Sequence, residues 1–122
     1  MRFMMLVKGA DNMGLPPKAL LDAIDKSTAE ALKAGTMITA GGLLPSADGA
    51  RVRLSNSKVT VIDGPFTEAK ELIGGFAIFE FQSKREAIES AREFMQLHVE
   101  HWPGWEGETE VRQMMDQPPG AR

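Results

Sequence analysis

The 122-residue chain contains no cysteine. Without thiols, a disulfide framework, a thiolate nucleophile and a thiolate metal site are excluded, and a reducing compartment is a natural setting. Long apolar runs are missing too, because no stretch approaches the roughly 20 residues of a membrane-spanning helix. The apolar start at 3–7 is flanked by Arg2 and Lys8 and lacks a small-residue cleavage site. We therefore expect a soluble, cytoplasmic protein without a membrane partner.

Basic charge is not in excess. The 14 Lys and Arg residues are outnumbered by 17 Asp and Glu residues, which gives a net charge of −3 and no basic footprint for nucleic acid. Apolar residues make up 43% of the chain, as in ordinary globular proteins, and the length suits one domain with a real core. We expect a single domain over residues 1–115 and a flexible tail over 116–122.

Periodicity predicts two amphipathic helices. The first begins near Pro16-Pro17 and stops at Gly35. The second begins after Ser83, which forms a capping box with Glu86, and ends at Pro103-Gly104. Strands are predicted at 3–7, 36–44, 51–54, 58–62, 76–82 and 108–115.

This order is βαββαβ with a hairpin inserted after the second strand. It predicts an α+β, ferredoxin-like fold, in which an antiparallel sheet carries both helices on one face. Side chains alternate between the two faces of a strand. If Phe79, Phe81 and Val111 face the helices, then Glu80, Glu110 and Arg112 point away from them. The bare face then mixes apolar and charged residues, which predicts a homodimer formed through that face.

Histidine is rare. His98 and His101 are spaced i, i+3 near the end of the second helix, and an imidazole in either place could act as a general acid or base. The structural alternative is that His98 packs on the apolar stripe and His101 stacks near Trp102. No HExxH pattern frames the pair, so we predict no metal site and no cofactor.

The stretch Asp63-Gly64-Pro65-Phe66 has strong turn chemistry. A carboxylate and an imidazole that face one pocket form an acid–base pair, so we predict Asp63, with His98 or His101, as the catalytic group. The alternative is a rigid connection in which the Asp63 carboxylate only caps the turn.

Four further side chains are candidate ligand contacts. Arg112 could anchor a carboxylate, and Glu80 and Glu110 belong to the same face of the predicted sheet. Trp102 could line a pocket or seal the core, as buried aromatic residues commonly do.

One block of the sequence is distinctive. It runs from Asp63-Gly64-Pro65-Phe66 through Glu68 and Lys70-Glu71 to Gly74-Gly75-Phe76, and it resembles the DGPF signature of the YCII-related (YciI-like) family. The Met-rich first strand, Gly41-Gly42-Leu43 and Glu110-Val111-Arg112 extend the resemblance over nearly the whole chain. It implies a ferredoxin-like fold that dimerises as an α/β barrel.

Relatives in the wider superfamily include muconolactone-type isomerases and dehydrochlorinases that use a His/Asp dyad. That dyad places its histidine on the first helix and its aspartate on the following strand. This sequence has no histidine between Met13 and Leu44 and no acidic residue between Thr36 and Leu44. DGPF domains also occur beside extracytoplasmic-function sigma factors, which keeps a regulatory role open.

Three functions follow from these observations. The first is a cofactor-free acid/base enzyme that acts on a small organic acid or lactone through Asp63, His98 and His101. The second is a non-catalytic dimeric module that binds a small ligand or a regulatory protein. The third is a purely structural dimer.

Overall fold

The computed structural model describes residues 1–10, 14–66 and 71–116. In chain order the elements are β1 (Arg2–Gly9), α1 (Lys18–Ala34), β2 (Met37–Gly42), β3 (Ala50–Ser55), β4 (Lys58–Asp63), β5 (Leu72–Glu80), α2 (Lys84–His101) and β6 (Gly107–Gln113). A 3₁₀ turn, Ser46–Asp48, lies between β2 and β3. Neither of these two helices is long and apolar enough to cross a membrane. Most of the predicted tail, residues 117–122, lies outside the described residues.

The large sheet has four antiparallel strands in the order β2-β5-β1-β6, and β3 pairs with β4 in a separate hairpin. The two central strands, β1 and β5, come from opposite halves of the chain. This is the split βαβ arrangement of the ferredoxin-like fold. The predicted α+β class, antiparallel sheet and inserted hairpin are therefore confirmed.

Both helices pack on one face of this sheet. The core holds side chains from both layers: Phe3, Met5, Phe79, Ala87 and Ala91. The helices also contact each other, with α1 over β2 and α2 over β6 and β1. Phe81 and Val111 pack against this core, so the predicted assignment of alternate residues to the helix face is confirmed.

The helix ends are set by local chemistry close to the predicted positions. Gly35 ends α1 in the left-handed region at φ 79°, where its N–H donates to carbonyls of the last turn. Ser83 Oγ caps α2 by accepting the N–H of Glu86 at 3.2 Å. The Glu86 carboxylate accepts the N–H of Gln82 at 2.8 Å. A capping box would use the N–H of Ser83, one residue later.

Strand β5 is longer than predicted at its start. It begins at Leu72 rather than at residue 76, and so includes Gly74-Gly75. Glycine has low intrinsic strand preference, but pairing with β1 on one side and β2 on the other overrides it. A Cβ at Gly75 would lie 3.2 Å from the carbonyl oxygen of Gly41, so the close approach of β2 favours glycine there.

Candidate functional site

Asp63 lies at the end of β4, and its side chain is exposed. Across the hairpin its Cα partner is Ala50. Within the described part of the chain, its carboxylate takes part in no hydrogen bond or ion pair, so it does not cap the turn that follows.

The turn is instead fixed by backbone contacts. The Gly64–Pro65 peptide bond is cis. The N–H of Gly64 donates to the carbonyl oxygen of Gly49 at 2.9 Å. A Cβ at position 64 would lie only 1.6 Å from the carbonyl oxygen of Ser46, so the backbone approach at this point excludes every residue except glycine.

Phe66 completes the connection. Its buried ring lies under the guanidinium of Arg51, whose carbon is 3.9 Å from the ring centre. Its N–H donates to Ser46 Oγ at 3.0 Å. The stretch therefore ties the base of the hairpin to the 3₁₀ turn, which is a structural role. Glu68 and Lys70 of the same motif lie outside the described residues.

His98 is the buried histidine, with 7% of its surface exposed. Its Nδ1 lies 3.0 Å from the carbonyl oxygen of Phe94. Because a carbonyl only accepts, Nδ1 carries the proton of the neutral ring and Nε2 keeps a lone pair. Burial lowers the pKa of His98, and the hydrogen bond to Phe94 opposes this only in part. The imidazole is therefore neutral at physiological pH.

Trp105 covers His98 at the end of the helix layer, with 4.5 Å between ring centres. The indole lies on two strand glycines. A Cβ would stand 3.1 Å from the indole at Gly9 and 2.3 Å from it at Gly107. Glycine at both positions thus allows the indole of Trp105 to approach β1 and β6 closely, where it closes this end of the core.

His101 and Trp102 stand at the rim of this cluster. Trp102 stacks on Trp105, with ring centres 5.9 Å apart. His101 is half-buried, and its Nε2 is 3.9 Å from a carboxylate oxygen of the exposed Glu100. Of the predicted residues, the structure brings together His98 and Trp102 around Trp105, and the ionic contact of His101 is with Glu100 instead.

Asp63 lies on the β3–β4 hairpin, which pairs with no strand of the large sheet among the described residues. No hydrogen bond, ion pair or ring contact among the described residues joins Asp63 to either histidine. The predicted Asp–His pair is not formed in this structure.

The other face of the four-stranded sheet, here called the open face, carries a charged cluster. The Lys8 ammonium contacts the Glu110 carboxylate, which also accepts from the Arg112 guanidinium at 2.9 Å. The hydrogen bond to Lys8, and then that to Arg112, lowers the pKa of Glu110. The same contact raises the pKa of Lys8. Lys8 could not be recognised from the sequence as a partner of Glu110, because the two residues are 102 positions apart and only strand pairing brings them together.

Glu80 lies at the other end of the open face. Its carboxylate accepts from the amino group of Met1 at 2.6 Å, and Arg2 lies 3.8 Å away. The hydrogen bond to that amino group lowers the pKa of Glu80. Glu80 is thus separated from Glu110 and Arg112, and the predicted ligand contacts do not form one cluster.

Apolar side chains fill the centre of the open face. Leu6 lies between Glu110 and Phe76 in the strand register, and Met4 lies between Arg112 and Ile78. The Phe76 ring extends over β2, where a Cβ at Gly41 would be 3.0 Å from it. The open face is therefore an apolar patch with ionic groups along its β6 side.

The model of the YCII-related domain matches residues 1–96. The chain belongs to the YCII-related family. An uncharacterised protein of Rhizobium meliloti is 36% identical over 73 residues, which are 60% of this chain and 56% of that protein. The chain therefore matches little more than half the length of that relative.

A solved structure is also similar. It is 5-chloro-2-hydroxyhydroquinone dehydrochlorinase from Burkholderia phenoliruptrix, in complex with 2,5-dihydroxybenzoquinone. The similarity has a TM-score of 0.41 at 20% identity and covers 94% of each chain. Among the described residues, no group of three or more His, Asp or Glu side chains is placed to hold a metal ion.

Proposed function

We propose that this YCII-related protein is a homodimer that binds a small organic acid on the open face, inside an α/β barrel formed where two open faces meet. The observation that carries the proposal is the Lys8–Glu110–Arg112 cluster beside the apolar patch. An organic acid has the matching chemistry, since its carboxylate suits a guanidinium and its carbon skeleton suits an apolar surface.

Arg112 is the anchor in this proposal. Its side chain is 70% exposed, and one carboxylate, Glu110, contacts it at 2.9 Å. A guanidinium has five N–H donors in a planar fork, so donors remain for a ligand carboxylate. Glu110 then orients Arg112 rather than accepting protons, because its lowered pKa makes it a weak base.

The centre of the helix side is filled by side chains of the chain itself. Phe3, Met5 and Phe79 are buried under the helices there, and Trp105 closes the end of the layer. A second copy of the chain is the natural cover for the open face, because the half-buried Leu6, Phe76 and Ile78 would then lose contact with water.

Dimerisation through the open face is tested by Ile78→Lys, which places a charge at the centre of the patch. We expect light scattering at micromolar concentration to show a loss of mass relative to the wild type. Leu32→Lys on α1, where Leu32 is 50% exposed, is the matched control and should keep the wild-type mass. An unchanged mass for Ile78→Lys would contradict this dimer.

Ligand binding is tested by thermal unfolding with a panel of small carboxylic acids and their amides. We expect acids, but not amides, to raise the melting temperature of the wild type, because binding to the native state stabilises it. Arg112→Gln should abolish the shift, and Arg85→Gln, an exposed arginine of α2, should keep it. Equal shifts in the two variants would contradict Arg112 as the anchor.

One observation favours a second function, acid–base catalysis. The Nε2 atom of neutral His98 keeps its lone pair and has no hydrogen-bond partner among the described residues. His98→Gln should abolish turnover of a small lactone, whereas His101→Gln and Asp63→Asn should retain it. Turnover that survives His98→Gln would contradict this role and leave ligand binding without catalysis.

A further inference from the structure

The β3–β4 hairpin has one aliphatic face. The register pairs Val52 with Val61 and Leu54 with Val59, and the side chains of these residues share one side of the two-stranded sheet. All four side chains are 66% to 72% exposed. A two-stranded hairpin is at best marginally stable in water unless one of its faces packs on another element. Within the described part of the chain, the aliphatic face therefore lacks a cover.

A second apolar surface is the groove between α2 and β6. It measures about 350 Å³ and is lined by Ile88, Ala91, Arg92, Met95, Thr109 and Val111. Ile88 is 39% exposed, so the groove opens to solvent. Val111 packs against the core below the helices, which places the groove on the helix side of the sheet. The groove therefore lies on the outside of the proposed barrel and stays accessible when two open faces meet.

The hairpin and the groove begin at the same end of the large sheet. Gly42, the last residue of β2, pairs with Gly75 near the start of β5. Gly9, the last residue of β1, pairs with Leu72 in β5 and with Gly107, the first residue of β6. The chain thus leaves β2 for the hairpin at the end of the sheet where α2 has ended and β6 begins.

Closure of the proposed barrel brings the two surfaces together. A barrel closes when the edge strands of its sheets pair, and the edge strands here are β2 and β6. When β2 of one chain pairs in antiparallel direction with β6 of the other, the end of β2 lies beside the start of the partner's β6. The hairpin of one chain then begins next to the α2–β6 groove of its partner.

The aliphatic face matches the groove in length. Val52 and Leu54 are two strand positions apart, which is roughly 7 Å. Met95 and Ile88 are about two helical turns apart, which is roughly 10 Å. Val52 is nearer the base of the hairpin, and Met95 is nearer the end of α2. An arm that runs back along the groove therefore sets Val52 against the partner's Met95 and Leu54 against the partner's Ile88.

The charges of the two surfaces are complementary. The hairpin, Ala50–Asp63, carries three basic residues and one acidic residue. The segment that forms the groove, residues 84–113, carries four basic and seven acidic residues. Surfaces of opposite net charge attract one another and disfavour wrong partners. A second copy of the chain therefore offers the basic hairpin an apolar groove in an acidic surrounding.

We propose that the hairpin is an arm that packs its aliphatic face into the α2–β6 groove of a second copy of the chain. In a twofold dimer each chain contributes one arm and one groove, so the contact occurs twice. The arm rests on the proposed open-face dimer, in the arrangement that pairs β2 with the partner's β6. It lies outside the barrel and leaves the ligand site inside the barrel free.

Leu54→Lys weakens the arm without touching the open face. Leu54 is 72% exposed in the chain, so the variant should keep the circular dichroism of the wild type. We expect its dimer dissociation constant, measured by sedimentation over a concentration series, to rise at least about tenfold, because a charge would enter an apolar groove. Thr60→Lys adds the same charge on the opposite face of the hairpin and should keep the wild-type constant.

The outcomes separate the arm from the open-face dimer. Equal dissociation constants for Leu54→Lys and a dimeric wild type would overturn the arm and leave the open-face dimer standing. A monomeric wild type would overturn both.

A single cysteine locates the arm, because the chain has no other thiol. Leu54→Cys is labelled with a benzophenone maleimide and mixed with isotopically heavy wild-type chain before irradiation. We expect cross-links from the light hairpin to heavy peptides of residues 84–113. Arg53→Cys, which carries the probe on the opposite face of β3, should give far fewer. Cross-links confined to one chain, or equal yields from the two probes, would overturn the arm.

A charge pair tests the contact between Leu54 and Ile88. Ile88→Glu alone should weaken the dimer, as Leu54→Lys does. The double variant Leu54→Lys/Ile88→Glu should recover most of the loss, because lysine and glutamate then face each other across the interface. Leu54→Lys/Leu32→Glu, with the glutamate at an exposed position of α1, is the matched control and should stay as weak as Leu54→Lys. Equal dissociation constants for the two double variants would overturn this docking of the arm.

Discussion

The two faces of the large sheet differ in how they are completed. On the helix side, Phe3 is 1% and Met5 is 3% exposed, and both pack under α2. On the open face, the neighbouring Met4 and Leu6 of the same strand are only half-buried. The helix side is covered within one chain, whereas none of the described residues forms a layer over the open face.

The charges follow the same division. The helix side holds a neutral imidazole, His98, among aromatic rings. The open face holds ionic pairs, with Glu110 between Lys8 and Arg112. Buried charge is costly without a partner, whereas an ionic cluster at a surface remains able to exchange partners. The comparison indicates that the helix side carries stability, and it fits the proposal that the open face binds a ligand or a second copy of the chain.

The largest expected effect comes from truncating matched phenylalanines on the two faces. Phe3→Ala should lower the free energy of unfolding by about 3–5 kcal/mol, since it leaves a cavity in a closed core. Phe76→Ala on the open face should cost less than half as much. Urea unfolding of both variants in the Ile78→Lys background removes the open-face dimer from the measurement. Equal losses would show that the open face is as well packed as the helix side.

An intermediate effect is expected for Trp105→Ala. Loss of the indole that covers Gly9 and Gly107 should lower the free energy of unfolding by about 3 kcal/mol. This value is near the lower end for truncations of tryptophan to alanine, because the Trp105 ring is only half-buried. Exposure of His98 to water should raise its pKa toward the ordinary value. Urea unfolding and an NMR titration of the His98 ring measure the two effects. Trp102→Ala is the control, and a larger loss there would contradict the role of Trp105.

The smallest effect is the pH dependence due to His98. Burial lowers the pKa of His98 in the native state. In the unfolded chain the pKa of a histidine is about 6.5, so below that pH the unfolded chain binds the proton more readily than the native protein does. The contribution of His98 to stability is therefore present above that pH and is lost as the pH falls through the window below it. His98→Gln should flatten unfolding profiles measured from neutral to mildly acidic pH. His101→Gln is the matched control, and profiles of equal slope for His98→Gln and the wild type would contradict the assignment.

Much of the fold could be predicted from local patterns. Helical periodicity and the signals at Ser83 and Gly35 located both helices. Alternation divided the strand residues into two sets, and the structure places the set with Phe79 and Val111 on the helix side. The DGPF stretch predicted the tight turn after β4. Such signals lie within a few residues of the elements that they specify, so they can be recognised in a single sequence.

The candidate site was less predictable. The sequence singled out Asp63 beside the distinctive turn, but Gly64 and Phe66 hold that turn, and the Asp63 carboxylate points to solvent. His98 was recognised as either catalytic or packed, and the buried position beside Trp105 follows from the two glycines beneath the indole. No local pattern connects Trp105 to Gly9, because they belong to opposite ends of the chain.

The sequence by itself determined the order of the elements, the two helices and the division of strand residues into two sets, because these depend on periodicity and end signals. Only the tertiary structure decided which distant residues meet. Strand order and register join Lys8 to Glu110 and place β6 at an edge, and the separate pairing of β3 with β4 leaves Asp63 outside the large sheet. These are contacts between residues far apart in the chain, and their geometry exists only once the strands have paired.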